Sequence, residues 1–170
     1  MRQVMLLTMI WMALASGCAT KVHDLAEQYH PLERVKESPL RPGTGITTLG
    51  RTAYVNDLDE WLAKRPPGSA LYHAILLHER EHTVRQLAYG QTAWLGRYLN
   101  DTEFMWAEES RGWYIQLKEY QRRGLQVNPE GVAKTLAAYM NISGRMISYE
   151  DALTWVRDVL AGRWSPPNED

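Results

Sequence analysis

His78-Glu79-Arg80-Glu81-His82 sets two imidazoles four residues apart, with a carboxylate directly after the first. On an α-helix this spacing brings both rings onto one face, one turn apart, where they can share a zinc ion. Glu79 is then the base for a water activated at the same place. A catalytic zinc takes three protein ligands and keeps a position for water, so another side chain must come from elsewhere in the chain. The competing reading is a solvated charged face, on which Glu81 and Arg85 form an ordinary surface pair.

A third ligand is suggested by the next long helical pattern. Asn100 or Asp101 can cap a helix that continues to Arg123 and stops at Gly124. Projected at a hundred degrees per residue, Met105, Trp106, Trp113, Leu117 and Tyr120 form an apolar face with Glu109 in its middle. Glu108 points with Arg111 and Lys118 toward the polar side. A carboxylate among aromatics needs a positive partner to offset its burial. That partner is a metal ion, or else an arginine such as Arg85 or Arg111. Glu109 is therefore the metal-ligand candidate beside His78 and His82, and Glu108 is the fallback.

These side chains need a rigid frame. Ser69 can cap a helix ending at Tyr89, with Gly90 at the left-handed position beyond it. Leu71, Ile75, His78, His82, Gln86 and Tyr89 share one stripe, and Leu76, Leu77, Val84 and Leu87 lie opposite. A helix apolar on both sides is expected to be central and buried. Residues 46–55 alternate and are rich in Thr, Val, Ile and Tyr, which predicts a strand on which an antiparallel sheet is built. Asp57 opens a short helix to about Lys64, Gln91 to Leu99 is a connection with room for a short helix, Asn128-Pro129 starts another helix, and Ser148 opens the last. Ile147 is placed to staple against Ala152.

Composition bounds the remainder. Seven Trp and nine Tyr stand against one Phe, so a few large aromatics must build the core or line a groove. Residues 1–17 carry Arg2, an apolar run and then small residues, the layout of a secretory signal, and the run is too short for a membrane span. Beyond them 20 acidic side chains face 18 basic ones, which argues against nucleic acid as a partner. Leu14-Ala15-Ser16-Gly17-Cys18 resembles the lipobox of bacterial lipoproteins. The resemblance implies cleavage before Cys18 and lipid on that residue, the only cysteine in the chain. Residues 18–45 are polar and contain Pro31, Pro39 and Pro42. They read as a lipidated tether with a helical turn near Asp24 to Tyr29, in which His23 and His30 are solvated.

With His78, Glu79, His82 and Glu109 in view, the chain resembles the gluzincin class of zinc metallopeptidases, in which a glutamate on a following helix completes the motif. The likeness spans residues 71–120. His82-Thr83-Val84-Arg85-Gln86 looks like the continuation in compact bacterial members, and the strand before the helix lies where the class has the edge of its cleft. Trp113 stands where the class commonly has an aspartate four residues after the glutamate, so the residue that orients the ligand histidine is left open. The resemblance implies one zinc ion per chain and hydrolysis of a peptide or protein substrate in the bacterial envelope. It implies Glu79 as general base and leaves His73, Tyr139 and Tyr149 as candidate oxyanion donors. An extended peptide could add to the edge strand. The expected architecture is α+β and predominantly helical: a zincin-like domain over residues 46–162, in which the motif helix packs with a second ligand helix and a small antiparallel sheet. Residues 163–170 form a flexible tail. Lipid on Cys18 would hold the domain at the outer membrane, facing the periplasm. The rival readings are a non-catalytic envelope lipoprotein with a structural or vestigial zinc, and a metal-free scaffold that uses its Trp and Tyr surface for protein contacts.

Overall fold

The computed structural model describes residues 21–38 and 45–167, so the signal segment, the lipobox and Cys18 lie outside the described residues. Its helices are α1 (Leu58–Lys64), α2 (Ala70–Tyr89), α3 (Gln91–Asn100), α4 (Thr102–Arg122), α5 (Pro129–Ala137) and α6 (Tyr149–Leu160). Its strands are β1 (Val22–Asp24), β2 (Arg34–Glu37), β3 (Ile46–Leu49), β4 (Thr52–Val55), β5 (Met140–Asn141) and β6 (Gly144–Arg145). The domain is predominantly helical with a small sheet.

Most helix starts follow from local chemistry. Asp57, Ser69, Asp101, Asn128 and Ser148 each accept a hydrogen bond from a backbone N–H in the first turn of the helix that follows. Each such cap is worth about 1 kcal/mol. Pro129 adds a preset φ at the start of α5. Gly90, at φ 89°, ends α2 and turns the chain directly into α3, so the expected connection is a ten-residue helix.

The strand expected over residues 46–55 folds back on itself. Gly50, at φ 60°, makes the two-residue turn between β3 and β4, with Leu49 paired to Thr52 and Ile46 to Val55. The larger sheet has the order β1-β2-β4-β3; its outer pairs are antiparallel and its central β2–β4 pair is parallel.

The first two of those strands correct the tether reading of residues 18–45. Tyr29, Leu32 and Val35 are among the most deeply buried residues, in a core with Ala53, Val55, Leu58, Trp61, Tyr72 and Leu76. His23 there is engaged too, its Nε2 2.9 Å from the Tyr72 hydroxyl, whereas His30 is exposed, its backbone carbonyl oxygen accepting from Arg80 at 2.7 Å. At the other end, Trp164 packs edge-on against Trp155 and Tyr114, and Arg111 donates to the Pro167 carbonyl oxygen. That part of the expected tail is therefore docked.

A second core joins α4, α5 and α6 through Met105, Leu117, Leu136, Val156 and Val159. Helix α2 runs between the two cores, against β3 on one side and α4 on the other. It is buried through its middle, at Tyr72, Ala74, Leu76, His78, Glu79, His82, Thr83 and Gln86. Its ends depart from the expectation, because Leu71, Val84, Leu87 and Tyr89 are exposed. The described tryptophans, by contrast, all face inward at least in part.

Candidate metal centre

Helices α2 and α4 bring His78, His82 and Glu109 together in the interior. Each offers one ligand atom, and the three atoms lie within 4.8 Å of one another. His78 Nε2 is 3.0 Å from His82 Nε2 and 3.6 Å from Glu109 Oε2, and His82 Nε2 is 3.4 Å from Glu109 Oε1. Zinc–ligand bonds near 2 Å in tetrahedral geometry require ligand atoms about 3.3 Å apart. The donor set thus fits a metal ion in both chemistry and spacing. Glu109 Oε2 and His82 Nδ1 are buried without a hydrogen-bond partner, and a cation satisfies the first of these.

The electrostatics agree. Burial works against charge on both members of the His82–Glu109 pair, but each favours the ionised form of the other. Glu109 lifts the pKa of His82 to about 9, and the two imidazoles hold Glu109 below the ordinary carboxylate range.

Glu79 is 5% exposed and stands apart from the ligand cluster. Thr48 on β3 donates its hydroxyl to Glu79 Oε2 at 2.6 Å. Burial raises the Glu79 pKa, and the neighbouring imidazoles and the Thr48 hydrogen bond only partly offset that. Thr48 is itself fixed from α2, because Gln86 donates to the Thr48 carbonyl oxygen at 3.0 Å and accepts from the Gly50 N–H at 2.7 Å. Gln86 therefore already occupies one backbone group of the edge strand on which a peptide was expected to pair, and one of the turn that follows it.

The sequence reading of Glu108 needs correction. This side chain is completely buried, and both of its oxygens accept from Arg85 Nε, at 2.8 and 2.7 Å. Arg85 on α2, not solvent, accounts for it. Glu109 alone of the two carboxylates reaches the histidines.

Further groups around the cluster come from α3, from α4 and from the segment after α5. Tyr98 on α3 donates its hydroxyl to Glu109 Oε1, and its own pKa is driven far up by burial and by that negative charge. Tyr139 lies near enough for burial and the charge of Glu109 to raise its pKa likewise. Trp113 and Trp94 meet the rings of His78 and His82 edge-on. His78 Nδ1 is 3.0 Å from Gln116 Oε1 on α4. Of the other candidate oxyanion donors, His73 is instead bound to Tyr29 at 2.8 Å and lies 3.5 Å from Glu119, and Tyr149 packs in the second core. Tyr139 was among the expected donors; nothing in the spacing singled out Tyr98, Thr48 or Gln116.

Among the described residues no helix is long and apolar enough to cross a membrane. No family model, curated protein or solved structure matches the chain.

Proposed function

We propose that the protein is a zinc-dependent peptide hydrolase of the gluzincin type, with zinc held by His78, His82 and Glu109 and with Glu79 as general base. The observation that carries this reading is the convergence of three buried ligand atoms within 4.8 Å beside a carboxylate that is not one of them. A structural site would need no such neighbour; a hydrolytic one requires it.

Zinc, when bound, supplies Lewis-acid polarisation of the scissile carbonyl and acidifies water. Glu79 takes a proton from the attacking water as the new carbon–oxygen bond forms, and passes it to the nitrogen as the carbon–nitrogen bond breaks. Its raised pKa brings it nearer to neutrality, which suits a group that must both accept and return a proton. Thr48 holds one Glu79 oxygen, leaving the other for the water. Tyr98 steadies Glu109 by hydrogen bond, and Tyr139 is the remaining candidate donor to a developing oxyanion.

The gluzincin resemblance implies a peptide amide as the substrate. The lipobox reading adds the place: Cys18 lipidated, with the domain held at the bacterial envelope. Incorporation of a labelled fatty acid into wild type and its loss in Cys18→Ser checks that part separately.

The decisive experiment measures zinc content and peptide cleavage in wild type and Glu79→Gln. Both proteins should hold one zinc per chain, and only wild type should cleave a broad peptide library. Wild type without zinc would overturn the metal centre. Full activity in Glu79→Gln would overturn the assignment of the base.

A further inference from the structure

We infer that Gln116 is the residue that orients His78 toward the metal, and that its neutral amide fixes the imidazole as the tautomer with the proton on Nδ1. The inference deepens the metal-centre reading and rests on it. Glu109, Gly112 and Gln116 follow one another at helical spacing along α4. The His78 ring lies across Gly112, with Nδ1 held 3.0 Å from Gln116 Oε1 and Nε2 at the other end facing Glu109 Oε2 at 3.6 Å.

An amide oxygen can only accept, so Nδ1 must donate. The lone pair of the neutral ring then sits on Nε2, the atom that faces His82 and Glu109. The amide is itself anchored, because Gln116 Nε2 donates to the Tyr120 hydroxyl, one turn further along, at 2.7 Å. Gln116 is 6% exposed, so water offers little competition for Nδ1. His82 has no equivalent, since its Nδ1 is buried without a partner. Orientation of the pair therefore depends on the Gln116 side.

The choice of an amide has an electrostatic reason. Glu79, Glu108 and Glu109 are already buried within this region. A carboxylate behind His78 would add another negative charge, whereas the amide supplies direction without charge. This answers the departure at Trp113: the orienting group comes from one turn further along the helix, and its chemistry is different.

The test uses the full chain, stripped of metal and reloaded with zinc against a chromophoric chelator. Side-chain nitrogen NMR of the stripped protein, assigned by the signals lost in His78→Gln, should show His78 protonated at Nδ1. Gln116→Leu should abolish that preference and weaken zinc binding about 10- to 100-fold. Gln116→Glu retains an acceptor and should keep both the tautomer and most of the affinity. If Gln116→Leu fails to fold, Gln116→Met, of similar length, replaces it with the same expected result. Unchanged tautomer and affinity in the apolar variant, or a loss in Gln116→Glu as large as in that variant, overturns the inference. Absence of zinc binding in wild type overturns the metal-centre reading instead, and the tautomer of the stripped protein still decides the role of Gln116.

Discussion

Gly112 faces the His78 ring so closely that a β-carbon built on it would lie 2.5 Å from Cδ2 and 2.6 Å from Nε2. No side chain fits there without moving the imidazole. Gly112→Ala should therefore weaken zinc binding at least tenfold, read by chelator competition, because the ring that supplies a ligand must turn away. The control is Gly96→Ala, at a helical position where a β-carbon meets nothing within 4 Å. There the ordinary helix preference for alanine should appear as a gain of about 0.5–1 kcal/mol in chemical denaturation. At Gly112 the same gain is outweighed by an overpacking cost of about 1–3 kcal/mol.

Glu108 and Glu109 are adjacent and both buried, yet they should fail differently when altered. Glu109→Gln removes a charged ligand while keeping shape, so zinc binding should be lost with the fold retained. Glu108→Gln removes the charge that Arg85 binds through both carboxylate oxygens in a site that is mostly sealed. Breaking such a pair costs about 3–5 kcal/mol, so this variant should unfold at clearly lower denaturant while the folded fraction still binds zinc. Metal content and denaturation measured on both variants separate the two roles, and the opposite pattern would exchange them.

What the sequence revealed, and what it hid, follows from the range of the interactions. Caps at Asp57, Ser69, Asp101, Asn128 and Ser148 are settled within four residues, so they could be read directly. The position of Glu109 followed from the period of α4 alone. Strands β1 and β2 did not show, because short segments such as VHD and RVKE have charges and little alternation; their pairing partners stabilise them. Glu108 was misplaced because a projection assumes one buried face, whereas Arg85 on α2 makes a second face of α4 habitable for a carboxylate. Thr48, Tyr98 and Gln116 act across elements, and a one-dimensional pattern carries no signal for such contacts.

Thr48→Val tests whether the sheet has a part in the chemistry. Valine keeps the branched shape and removes the hydroxyl that donates to Glu79 at 2.6 Å. A hydrogen bond to a charged group is worth about 1.5–3 kcal/mol, so turnover of any peptide that wild type cleaves should fall about 10- to 100-fold. Zinc content should not change, because Thr48 touches no ligand. A variant with undiminished turnover would mean that Glu79 is positioned by its helix alone.

Acid should also act at a point remote from the metal centre. Glu119, near the end of α4, is bound by Arg122 at 2.7 Å and also by Arg123, and lies 3.5 Å from His73, which in turn meets Tyr29. The Arg122 hydrogen bonds, with help from Arg123 and against some burial cost, hold the Glu119 pKa down to about 2 from an ordinary 4.5. A depressed carboxylate contributes stability that is complete above its unfolded pKa and is lost as pH falls through its folded one. The contribution should therefore be intact above about pH 5 and disappear as the solution approaches pH 2. Because the arginines are partly in solvent, screening holds it to about 1 kcal/mol. Glu119→Gln should lower stability by that amount at pH 6 and match wild type near pH 2, measured as denaturation midpoints across the range on metal-free protein. Parallel acid curves for the two proteins would show that the ion cluster joining the segment around Tyr29 to α4 contributes nothing to holding that segment in place.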